Sequence, residues 1–259
     1  MLRRTERVGP TESWILIPQI EHAHLAGALA ESWGDSSLAE LQPREEVQQA
    51  VRHHDDGWAD WDASPGVDPA VGRPLSFVEM PLDVSIDIWR RSIFLACSRG
   101  YLAAHMVSNH FTELLQRASP RWSHDPERFQ TSRQFLDEQS EHREIWLAKW
   151  QTPNPAVRTR KMAALALEYL QFFDALSLWF CGAVRRGPQS FATPEGYEVT
   201  FNPTGPLHFT AQPWPLTVGR MSWTVNARRV PVGVYRTQEE LASTFSEAVE
   251  LTFQLTAEA

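Results

Sequence analysis

Residues 161–184, "KMAALALEYLQFFDALSLWFCGAV", are apolar almost all the way round a helical wheel. A helix of that kind has no face to give to water, so it reads as a central helix that other elements must cover. In its most apolar part, "YLQFFDALSLWFC", stands one acid, Asp174, and a buried carboxylate without a partner is very costly. Gln171 and Ser177, three residues to either side, share its face and extend a thin polar stripe. A cation among the side chains that face it would be its natural partner.

Histidines are the nearest supply. Of the nine, six lie between residues 22 and 110 as the pairs 22/24, 53/54 and 105/110. A helix turns about 100° per residue, so each pair can be divided by asking which member shares the apolar stripe. In "QIEHAHLAGALAESWG", His22, Leu25, Ala26, Leu29 and Trp33 mark one face, and His24 points away from it. In "EVQQAVRHHDDGW" the face is Val47, Ala50, Val51, His54 and Trp58, with Asp55 on its shoulder and His53 toward solvent. In "YLAAHMVSNHFTELL" it is Ala103, Met106, Val107, His110 and Leu114, with His105 on the far side. Helix phase therefore turns His22, His54 with Asp55, and His110 inward, on helices separate from that of Asp174. Neutral imidazole nitrogens beside carboxylate oxygens suit Zn, Mn or Fe, and three or four protein ligands leave room for a water.

The other candidates are plainer. His24, His53, Asp56 and His105 are expected in solvent or behind the ligands, and His124, His142 and His208 sit in polar contexts without a role. Trp58 and Trp61 read as core and loop anchors, and Asp60, Asp62 and Asp68 as loop and turn acids. Lys149 and Lys161 are the only two lysines in the chain, and neither lies on the helices that carry His22, His54 and His110. Arg52, Arg73 and Arg99 are the available phosphate contacts.

Around this site the pattern is mostly helical. "SWILIPQ" reads as a short strand, followed by helices over 20–33, from Pro43 to near Gly57, and over 85–97, 101–118 and 131–150. The cluster Gly34–Ser37 closes the first helix, and the proline- and glycine-rich stretch 62–82 is a long loop beside the site. After residue 186 short β-type runs take over. The expected fold is mainly α, a helical bundle with a small C-terminal antiparallel β subdomain, divided into residues 1–186 and 187–259.

Four segments carry a resemblance: "QIEHAHLAGALAESWG", "AVRHHDDGWADWD", "LAAHMVSNHF" and "LQFFDALSLWFC". They resemble an uncharacterised bacterial family known only as a domain of unknown function, over nearly the whole chain. The order His22, His54-Asp55, His110, Asp174 is also similar to the HD-domain superfamily, over roughly residues 14–184. That likeness implies an HD-like all-α core holding one or two divalent metals (Fe, Mn, Zn or Mg), used for phosphoester hydrolysis or, in a di-iron branch, for oxygenation. Carried over, His22, His54, Asp55 and Asp174 are ligands of one metal. His110 is then a phosphate contact or a ligand of a second metal bridged by Asp55, and a second site would need His105 to turn inward.

The leading expectation is a metal-dependent hydrolase of a small phosphorylated or nucleotide-like substrate, in which Asp55 or His110 moves protons. The alternatives are a di-iron oxygenase and a non-catalytic binding or structural protein. A net charge of −8 argues against nucleic acid as a partner. The longest N-terminal apolar run, Trp14–Ile17, is too short for a signal sequence, no membrane span is expected, and Cys97 and Cys181 read as free thiols of a cytoplasmic protein.

Overall fold

Hydrophobic periodicity switches from two to 3.6 and back, and the backbone follows it. The computed structural model describes residues 1–8, 10–34, 41–122, 124–182, 187–245 and 247–257. Strands β1 (Leu2–Val8) and β2 (Thr11–Ile17) come first. The helices α1 (Gln19–Ser32), α2 (Arg44–His53), α3 (Ala59–Ala63) and α4 (Leu82–Arg99) follow. Then come α5 (Tyr101–Ala118), α6 (Pro126–Gln151) and α7 (Arg160–Cys181). Strands β3 (Gln189–Ala192), β4 (Glu198–Gly205), β5 (His208–Gln212) and β6 (Arg220–Pro231) lead through α8 (Gln238–Ser243) to β7 (Glu247–Ala257).

The strands form one seven-stranded sheet in the order β1-β2-β6-β7-β5-β4-β3. Its pairings are antiparallel except that of β5 with β7. This corrects the expected mainly α, HD-like bundle with a small antiparallel subdomain. The fold is α+β, about 53% helix and 23% strand among the described residues, with a curled mixed sheet that takes in the N-terminus. The missing signal was β1, whose sequence LRRTERV is too charged to read as a strand. It is an edge strand, where charge guards against further pairing. Its Glu6 meets Arg229 of β6 at 2.9 Å across the intervening β2.

Along β6, Met221, Trp223, Val225 and Ala227 alternate inward with exposed neighbours, as period two requires. Against that face packs the C-terminal end of α7: Phe180 stands 4.7 Å from Phe209 and 5.2 Å from Trp223 between ring centroids. Buried apolar residues from Ile15 through Phe180 to Leu255 form one contiguous cluster. α7 is less enveloped than its composition suggests. Lys161, Ala164, Glu168 and Ala175 make an exposed stripe, while Ala166, Leu170 and Phe173 are fully buried. By length and composition α7 could cross a membrane, but 56% of its apolar window is buried inside the fold. Residues 35–37 of the expected turn, and the expected boundary at 186, lie outside the described residues.

The Glu79 carboxylate helps tie the loop 64–81 to the sheet. Glu79 accepts from Arg3 at 2.8 and 3.0 Å, from Arg73 at 2.8 Å and from the Ser76 amide at 2.9 Å. Partial burial alone would raise its pKa, but these cations and the amide hold it below the usual glutamate value. A depressed carboxylate stabilises the fold above its unfolded pKa, and the contribution is lost as pH falls through the folded one. Glu79→Gln is expected to cost about 1 kcal/mol at neutral pH in urea denaturation. The gap from wild type should shrink below the ordinary glutamate pKa of 4.5.

Candidate metal centre

His22 sits one turn into α1, and that turn is fixed from a distance. Pro18 supplies no side-chain cap, so the first amides of α1 lack partners. Asp62 of α3 provides one, accepting from Gln19 N at 2.6 Å and Ile20 N at 3.3 Å. Asp62 is 4% exposed and serves as a buried helix cap, where a turn acid was expected.

α2 ends at His53, short of the expected Gly57. His54 keeps helical dihedrals as its C-cap, Asp55 departs to φ −109°, ψ 17°, and Asp56–Trp58 form a 3-10 turn. The break leaves the His54 and Asp55 side chains side by side in the core, His54 fully buried and Asp55 4% exposed.

Five side chains from α1, the α2 end, α5 and α7 converge. His22 Nε2 is 3.1 Å from Asp174 Oδ1 and 3.6 Å from Asp55 Oδ2. His54 Nε2 is 3.3 Å from Asp174 Oδ1 and 3.7 Å from Asp55 Oδ2. His110 Nε2 is 3.8 Å from Asp174 Oδ2. The His22 and His54 rings stand at 87° to each other, and those of His54 and His110 at 83°, both edge to face. The ligand atoms of His22, His54 and Asp174 all lie within 4.8 Å of one another.

His54 Nδ1 is 2.7 Å from the Val51 carbonyl, which can only accept, so Nδ1 carries the proton. Its Nε2 then turns either a lone pair or a second proton toward two carboxylates. Burial opposes that second proton, but Asp55, Asp174 and the Val51 carbonyl raise the His54 pKa to about 9. Burial and the neighbouring imidazoles push His110 down to about 4, despite Asp174. Burial raises Asp55 against the pull of His54 and His22. Burial would also raise Asp174, yet the surrounding imidazoles hold it well below the usual carboxylate range. A cation is built into the balance of this cluster. An imidazole whose far nitrogen donates to a backbone carbonyl is the usual arrangement behind a metal-ligating histidine.

Beside the cluster opens a cavity of about 390 Å³, lined at one end by Asp55, His110 and Asp174. Trp58, Trp89 and Phe111 form much of its wall, and Phe77, Val78 and Met80 bring in the loop 64–81. The expected position of that loop beside the site is what the structure has.

The family model described as a protein of unknown function, DUF3891, matches residues 2–232. The chain belongs to the DUF3891 family. No match was found among curated proteins or among solved structures.

In this DUF3891 chain the inward histidines of the helix-phase reading are those that meet. His24, His53 and Asp56 form a second, half-buried group, but Arg99 donates to Asp56 at 2.6 Å and lies 3.1 Å from His53 Nδ1. A guanidinium thus already fills that group. His105 departs from expectation: it is 9% exposed, with Nδ1 3.1 Å from the Arg143 carbonyl of α6. It faces away from the cluster and is no candidate ligand. Arg52 pairs with Glu31, Arg73 with Glu79 and Arg99 with Asp56, and none of the three lines the cavity. The arginines that do are Arg117 and Arg128, joined by Gln19. No local sequence pattern marks these residues, since only the meeting of α5, α6 and α1 brings them together.

Proposed function

We propose that the chain is a metal-dependent hydrolase of a small phosphoester, with one divalent ion held by His22, His54 and Asp174 and flanked by Asp55 and His110. The observation that carries the reading is His54: its Nδ1 proton is committed to Val51, so its Nε2 confronts Asp174 and Asp55 in a form that suits a shared cation. The ligand order is similar to that of HD-domain phosphohydrolases, which supports the chemistry though not their fold. A divalent ion supplies Lewis-acid polarisation and lowers the pKa of a coordinated water.

The protein's own groups do the rest. Asp55 lines the cavity and is placed to accept the proton of the attacking water. His110, neutral and also on the cavity wall, offers an N–H to a phosphoryl oxygen. The buried aromatic wall excludes bulk water from the reacting group. A dinuclear oxygenase would need a second ligand set beside Asp55, and among the described residues His105 faces Arg143 instead. Cys97 and Cys181 carry thiols rather than a disulfide, which fits a cytoplasmic setting.

Elemental analysis of purified protein tests this together with hydrolysis of p-nitrophenyl and bis-p-nitrophenyl phosphate before and after chelation. Near-stoichiometric metal is expected, with hydrolysis abolished by the chelator and restored by added Zn or Mn. Protein that takes up no divalent metal under any condition would overturn the reading.

A further inference from the structure

The cavity is polarised along its length. Its acidic lining is Asp55 and Asp174, both at the buried end, with side chains 5% and 13% exposed. Its cationic lining is Arg117 and Arg128, whose side chains are 65% and 53% exposed and therefore stand at the mouth. Between them the wall is apolar, with Trp89 stacked on Phe111 at 5.4 Å. One helix shows the gradient by itself: His110, Leu114 and Arg117 of α5 share a face at i, i+4 and i+7. The rise of an α-helix separates the first from the last by about 10 Å. Leu114 is 37% exposed, where its phase predicts burial, because it lies on the cavity wall rather than in the core.

The inner end also holds polar groups with nothing to bond. Trp58 and Gln19 are each 3% exposed and line the cavity, and Trp58 Nε1 and Gln19 Oε1 have no hydrogen-bond partner among the described residues. A buried donor and acceptor left unmet are costly until a ligand or water meets them. At the mouth, Arg117 is paired with Glu113 at 3.0 Å and Arg128 with Asp125 at 3.3 Å. Exposed pairs of this kind contribute little, and each guanidinium keeps further N–H donors for a ligand.

We infer that the cavity takes an amphipathic organic anion, with its polar reacting group inward, an apolar body along the aromatic wall and an anionic group at Arg117 and Arg128. The inward reacting end rests on the hydrolase reading; the apolar body and anionic tail rest on the cavity alone. The volume of about 390 Å³ fits one such small molecule.

The test is calorimetric titration of chelator-stripped protein with 6-phenylhexanoate, its uncharged amide and hexanoate. The acid is expected to bind about fivefold more tightly than the amide. Hexanoate, lacking the ring, should bind at least about tenfold more weakly than the phenyl acid. Arg117→Gln with Arg128→Gln should erase the acid-over-amide preference while the amide still binds, which also shows that the variant is folded. Equal binding of acid and amide, a preference that survives the double substitution, or no binding of either phenyl compound would each overturn the inference. Because the protein is stripped, these outcomes do not depend on the metal. A wild type that refuses metal but keeps the preference defeats the hydrolase reading and leaves the amphipathic cavity standing.

Discussion

Asp174→Asn is expected to abolish metal retention while leaving the fold in place. The substitution is nearly isosteric, so packing around α7 is kept, and what changes is charge. Three imidazoles are aimed at this carboxylate, His22 at 3.1 Å, His54 at 3.3 Å and His110 at 3.8 Å. An amide offers one weaker oxygen and puts an NH₂ where the second oxygen was. Loss of a group that merely orients a ligand typically weakens metal binding by about 10- to 100-fold, and loss of a ligand should exceed that. Mass-spectrometric metal analysis should fall from near-stoichiometric to background, with far-UV circular dichroism unchanged. Full metal content in Asp174→Asn would remove Asp174 from the ligand set and leave its three imidazoles unexplained.

The residues of this cluster were legible because each lies on a stripe whose phase one helix decides. Val47, Ala50, Val51, His54 and Trp58 are all buried, even though α2 stops before His54 and the chain reaches Trp58 through a 3-10 turn. The same logic failed for His105, because it assumes that a helix has one covered face. α5 has two: His110 faces α7 while His105 faces Arg143 of α6. Asp62 was illegible for a related reason, since a cap that reaches 43 residues back along the chain to Gln19 leaves no local pattern. The sheet was read only in part. β6 announces itself by alternation, but β1 is charged at four of its seven positions, and the pairing of β5 with β7 joins segments separated by a strand and a helix. Cavity-lining arginines are the least legible of all, because an exposed Arg117 looks like any other surface charge until α6 and the loop 64–81 close round it.

Gly57→Ala tests whether the turn after the His54-Asp55 doublet is wedged in place, as the packing requires. A Cβ at Gly57 would stand 2.4 Å from Ser92 N, 2.5 Å from Ile88 O and 2.6 Å from Ser92 Oγ. Two of those atoms are backbone of α4 and cannot rotate aside, so the turn itself must move. The turn is also pinned there by the Gly57 amide on Ser92 Oγ at 3.1 Å and by Arg91 Nε on the Gly57 carbonyl at 3.3 Å. Overpacking of this severity costs about 3 kcal/mol, at the upper end of the usual range. That corresponds to a fall in Tm of roughly 6–12 °C for a chain of this size. Metal affinity should drop with it, because His54 and Asp55 move with the turn. Ser92→Ala alone removes only the hydrogen bond and should cost about 1 kcal/mol. Combining the two substitutions should not rescue Gly57→Ala, since Ser92 N and Ile88 O remain in the way. A double variant that regained wild-type Tm and metal content would place the obstruction in the Ser92 hydroxyl and leave α4 free to yield.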